Sequence, residues 1–86
     1  MNPPVTVYVA GWCPYCARAV SLLTQKKTAF TEINVDDDPK FRQAMIARSN
    51  RHTVPQIFIG DKHVGGCDEL FELDGSGELD RLLEGK

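Results

Sequence analysis

No apolar run in this chain exceeds a few residues, whereas crossing a bilayer as a helix takes about 20. No membrane partner is expected. There is no basic excess either: ten Lys and Arg against twelve Asp and Glu leave a net charge of -2, which argues against nucleic acid as a partner. Cysteine is scarce, and three in 86 residues is both too few and odd in number for a secreted disulfide framework. The opening Met1-Asn2-Pro3-Pro4 lacks the basic and apolar stretches of a signal peptide. Repeats, linkers and low-complexity tracts are missing as well. What is present, 42% hydrophobic and 26% charged residues, fits an ordinary soluble globule. The expectation is a single domain over residues 1–86, cytoplasmic, because two domains of half this length would each lack a sufficient core.

Charge is unevenly spread. From Lys40 to Lys62 five basic residues (Lys40, Arg42, Arg48, Arg51, Lys62) face one acid, Asp61, a balance of +4. From Cys67 onward seven acids stand against Arg81 and Lys86, a balance of -5. Two solvated helix faces would explain this; so would a basic half that attracts a small anion.

Val5-Thr-Val-Tyr-Val9 is β-branched and aromatic between turn residues, the pattern of a buried strand. Pro14 opens a helix, where its missing N–H is no loss, and Ala17, Val20 and Leu23 carry helical spacing to about Lys27. Phe30 to Val35 alternates as a second strand. Asp36-Asp37-Asp38-Pro39 reads as a helix cap rather than a metal site, with the helix continuing to Ser49-Asn50. Val54 to Ile59 is a third strand, Gly60-Asp61-Lys62 a tight turn, and His63-Val64 a fourth strand. A helix follows from Cys67 to Leu73, a break at Asp74-Gly75-Ser76-Gly77, and a last amphipathic turn or two from Glu78 to Leu83. The order β-α-β-α-β-β-α, with a right-handed crossover and a terminal hairpin, implies an α/β fold with a mixed four-stranded sheet flanked by helices.

Cys13-Pro14-Tyr15-Cys16 falls where the first strand gives way to the first helix. Residues three apart at a helix start share a face, at a separation compatible with a disulfide. Cys13 faces the unpaired N–H groups and positive dipole of the helix end. Both favour the thiolate, making Cys13 the expected nucleophile and a ready leaving group from a mixed disulfide. Cys16, one turn inside, is the expected resolving thiol. Zinc would need a second close pair, yet Cys67, His52 and His63 stand singly, so no metal site is expected. A structural disulfide would close only a tiny loop.

Pro55 cannot donate to a sheet ladder, which suits a strand start, an edge or a cis peptide. If the third strand lies beside the first, Thr53-Val54-Pro55 comes near Cys13, and the Val54 backbone could pair with an extended peptide. Gly65-Gly66 is either an ordinary turn or a place of close ligand approach, leading into a helix start suited to a carboxylate. Cys67 is either a buried small side chain or an accessory thiol. Trp12 is expected to cover the site from solvent.

Together, Cys13-Pro14-Tyr15-Cys16, Thr53-Val54-Pro55 and Gly65-Gly66-Cys67-Asp68 resemble a dithiol glutaredoxin of the small bacterial type, in register over nearly the whole chain. The resemblance implies a thioredoxin fold, a cis Pro55, no permanently bound cofactor, and glutathione as reductant. It implies that Cys13 attacks or receives the glutathionyl group and that Cys16 resolves protein disulfides. The implied glutathione site takes Val54 for the cysteine backbone, Thr53 and Asp68 for the γ-glutamyl end, and Tyr15 beside the sulfur. Pro55, Gly66 and Cys67 complete it, and Arg42 matches the position that meets the glycine carboxylate. Implied partners are disulfide-containing or glutathionylated proteins, with ribonucleotide reductase a candidate, and the protein is expected to be a monomer. One departure is Ala10, where the family usually carries Lys. Its loss removes a positive charge near the glycine carboxylate and predicts weaker glutathione affinity. Trp12 before Cys13 resembles thioredoxins, so a redoxin reduced by thioredoxin reductase is one alternative. A glutathione-ligated iron–sulfur dimer is another.

Overall fold

The structure, a computed structural model, describes residues 2–85, so Met1 and Lys86 at the ends of the expected domain lie outside the described residues. Its elements are β1 (Val5–Val9), α1 (Pro14–Gln25), β2 (Thr31–Asn34), α2 (Pro39–Ser49), β3 (Gln56–Ile59), β4 (Lys62–Gly65), α3 (Cys67–Gly75) and α4 (Glu78–Leu83). The sheet runs β2-β1-β3-β4, with β1 parallel to β2 and antiparallel to β3, and β3 antiparallel to β4. The mixed four-stranded sheet matches the expectation.

Alternation along the two inner strands creates two cores. Val5, Val7 and Val9 of β1 join Ile57 and Ile59 of β3 under α1, α3 and α4, where Leu23, Leu70 and Leu79 are fully enclosed. Between them Tyr8 and Phe58 point to the other face and pack with Val35 and Met45 of α2. β1 has a neighbour on each edge and side chains packed on both faces, which is why it reads as an apolar run.

Several boundaries shift by one or two residues, β2 being shorter and β4 longer than expected, and two of the shifts have a plain local cause. β3 begins at Gln56, paired with Tyr8, because Pro55 has no N–H to give the ladder. α3 continues through Gly75, as the Ser76 N–H still reaches the Glu72 carbonyl at 3.2 Å. The chain turns only at Gly77, whose φ of 80° suits glycine. Lys26, just past α1, ties the helices together: its Nζ lies 2.6 Å from Asp74 and 3.0 Å from Asp80. No helix among the described residues is long and apolar enough to cross a membrane.

Candidate active site

Cys13 is the N-cap of α1, with extended backbone (φ -152°, ψ 106°) and Pro14 as the first helical residue. In the place usually held by a Ser or Asp oxygen, its sulfur accepts the Cys16 N–H at 3.2 Å. The same sulfur lies 3.9 Å from the Val54 carbonyl oxygen, bringing the strand-start segment against the helix start as the sequence suggested. The Val54–Pro55 peptide bond is cis. Cys13 is half-buried, Cys16 and Cys67 are buried, and none is in a disulfide. Burial first, then the hydrogen bond with Cys13, pushes the Cys16 thiol up to about 12. Cys67, 5% exposed, is also raised by burial and behaves as a core side chain.

A cleft of about 250 Å³ opens beside the cysteines. Of the residues singled out in the sequence, Tyr15, Thr53, Val54 and Pro55 line one part, and Gly66, Cys67 and Asp68 another. Arg51, Gln56 and Glu69 complete the lining. Gly66 caps α3, and its N–H donates to Glu69 Oε1 at 2.9 Å; the same oxygen receives Arg51 Nη1 at 2.7 Å. These bonds hold the Glu69 carboxyl below its usual range, the backbone N–H contributing most. Neither Arg51 nor Glu69 was picked out from the sequence. The available signal was Glu at the third helical position, which can reach back to the cap even when the cap is glycine.

Arg42 is placed differently. It does not line this cleft but pairs with Asp36 at 3.3 Å, and the other Asp36 oxygen accepts the Gly11 N–H at 3.4 Å. Arg42 therefore stands beside the loop leading to Cys13. Trp12 corrects an expectation: it is 89% exposed and does not cover the site. The loop carries the indole outward, and the sulfur is sheltered instead by the helix start and the Val54 carbonyl.

A family model for glutaredoxin matches residues 5–64. The chain belongs to the glutaredoxin family. It is 50% identical over 80 residues to glutaredoxin 3 of Escherichia coli (strain K12), covering 93% of this chain and 96% of that one. A glutaredoxin from Brucella melitensis solved in solution is 50% identical, with a TM-score of 0.86 over 99% of this chain and 94% of the other. A buckwheat glutaredoxin solved in complex with glutathione has a TM-score of 0.87 at 32% identity, over 98% of this chain and 78% of that one. The fold is thus the thioredoxin fold of glutaredoxins, and the activity is glutathione-dependent thiol–disulfide exchange. In glutaredoxin terms, the cleft is walled by the Thr53–Pro55 segment and the α3 N-terminus, and Tyr15 and Val54, the latter 3.9 Å from the Cys13 sulfur through its carbonyl, connect it to the Cys-x-x-Cys pair.

Proposed function

We propose that this glutaredoxin reduces glutathione mixed disulfides through Cys13 alone and protein disulfides through Cys13 and Cys16 together. The observation that carries the reading is the Cys13 sulfur, capping α1 beside the Val54 carbonyl next to an open cleft. Attack of the Cys13 thiolate on a glutathionylated protein releases the protein thiolate, which takes up a proton, and leaves glutathione bonded to Cys13. A second glutathione thiolate then attacks that glutathione sulfur, releasing glutathione disulfide and regenerating Cys13. With a protein disulfide, Cys16 attacks the Cys13 sulfur of the mixed disulfide, and its proton passes to the departing protein thiolate. Two glutathiones reduce the resulting Cys13–Cys16 disulfide.

Burial, which remains when Cys13 carries glutathione, holds the Cys16 thiol above its ordinary range and keeps it almost wholly protonated at pH 7. This leaves time for external glutathione to discharge Cys13 first. Glutathione lies extended against Val54, with its γ-glutamyl end toward Thr53 and Asp68 and Tyr15 beside its sulfur. First-turn amides of α3, which have no partner within the helix, favour the carboxylate. Arg42 takes the glycine carboxylate after exchanging it for Asp36. The glutathione complex of the buckwheat relative supports this reading.

The test is reduction of a glutathione mixed disulfide with NADPH, using either glutathione plus glutathione reductase or thioredoxin reductase alone. Turnover with glutathione, lost in Cys13→Ser and kept in Cys16→Ser, is expected. Turnover with thioredoxin reductase and none with glutathione would reverse the assignment of reductant.

A further inference from the structure

Gln56 is 1% exposed, and both ends of its amide are in use. One end lies 3.0 Å from the Thr53 carbonyl oxygen and 3.3 Å from Thr53 Oγ1. A carbonyl oxygen can only accept, so the end facing it must be the NH₂ group. That directs Gln56 Oε1 the other way, where it meets His63 Nε2 at 2.7 Å. Oε1 in turn can only accept, so His63 Nε2 must carry a hydrogen. Burial lowers the His63 pKa and favours the neutral ring, which has one N–H to place. On Nδ1 that hydrogen would leave two lone pairs opposed at 2.7 Å, and Gln56 would turn its oxygen toward the Thr53 carbonyl. The ring itself is held by stacking on Phe58 (centroids 4.9 Å apart, planes at 28°), and Phe58 lies under the Arg48 guanidinium at 4.0 Å.

We propose that His63, on β4, is a positioning residue for glutathione recognition: its Nε2–H fixes the Gln56 amide, and the amide holds Thr53 in the conformation that receives the γ-glutamyl end. The inference rests on the reading above that Thr53 meets glutathione. His63 touches neither sulfur nor substrate. It acts through a two-bond relay that crosses from β4 to the segment before β3.

The experiment is steady-state reduction of the mixed disulfide of glutathione and cysteine by wild type, His63→Phe, His63→Gln and Thr53→Val. Phe keeps a ring for Phe58 to stack on but has no donor, whereas Gln returns an N–H at the reach of Nε2. His63→Phe is expected to raise KM about fivefold, the worth of one hydrogen bond, with kcat within about twofold. His63→Gln should restore KM. A raised KM in Thr53→Val but not in His63→Phe would overturn the relay while leaving the Thr53 contact standing. An unchanged KM in both would overturn the contact and the relay with it. Should His63→Phe fail to fold, nitrogen-15 spectra of the wild-type imidazole decide: the Nε2–H tautomer supports the relay, and Nδ1–H refutes it.

Discussion

Gly65 closes β4 with a φ of 119°, and a methyl group there would meet Glu69 at once. The added carbon would overlap Oε1 and lie 3.0 Å from Cγ and 3.1 Å from Cβ of Glu69. The carboxylate tip and Cγ can turn aside, but Cβ is fixed to the α3 backbone and cannot. Swinging the tip also breaks the bonds from Gly66 N–H and Arg51 to Oε1. For Gly65→Ala, the backbone conformation contributes about 1–3 kcal/mol and the lost cap bond about 1. The exposed ion pair adds about 0–1 kcal/mol. Together these predict a destabilisation of about 2–5 kcal/mol, a fall in Tm on the order of 10–40 °C for a chain of this size. Urea unfolding followed by circular dichroism measures it, alongside Glu69→Ala and the double variant. Removing the Glu69 side chain removes its part of the clash, so the double variant should be less destabilised than the sum by about 1 kcal/mol. A Gly65→Ala loss below about 0.5 kcal/mol, or strict additivity with Glu69→Ala, would refute the steric argument.

Three further outcomes follow from the same geometry. Ala10→Lys restores a cation near the cysteines and should tighten glutathione binding by up to about fivefold, the range of an exposed ion pair; calorimetry showing no gain would count against it. In Cys13→Ser, burial still holds the Cys16 thiol above its ordinary range, so its alkylation by iodoacetamide should keep accelerating as pH rises from about 7 to 9; a plateau below about pH 8 would contradict the assignment. Stability should fall in acid in two stages. The folded His63 pKa lies below the ordinary 6.5, so the unfolded chain takes that proton first and stability declines as pH drops below 6.5. Glu69 is likewise depressed below 4.5 and adds a second decline as pH falls through that region toward its folded value. Urea midpoints measured from pH 8 to pH 3 should show the first stage disappear in His63→Phe.

The elements most legible in the sequence were those written locally. Pro14 and Asp38-Pro39 mark helix starts whatever the rest of the chain does, and both helices begin there. The β-branched and aromatic run of β1 marked both the strand and its burial, because a strand packed on both faces needs no polar side. The cysteines and Thr53-Val54-Pro55 could be brought together only by assuming that β3 lies beside β1, as it does. What escaped depends on direction and distance rather than pattern. Trp12 and Cys13 are neighbours, yet the bend between β1 and α1 sends one into solvent and the other against Val54. Arg51 was visible as one of five cations, but its partner Glu69 lies 18 residues on and meets it only once α3 packs beside the cleft. Arg42 and Arg51 look alike in sequence; Asp36 draws the first toward Gly11 while Glu69 keeps the second in the cleft.

Both segments that hold the Cys13 sulfur hang from the two inner strands of the sheet. The loop carrying the cysteine leaves β1, and the segment carrying Val54 enters β3, with β2 and β4 standing outside them. Amide hydrogens on inner strands exchange only when much of a small protein opens, whereas edges fray independently. The sulfur's surroundings are therefore tied to the last part of the molecule to open. Fraying of β2 or β4 leaves the Cys13–Val54 contact intact, and thermal loss of thiol–disulfide exchange should coincide with global unfolding. Residual activity after heating then reports the fraction of folded chains.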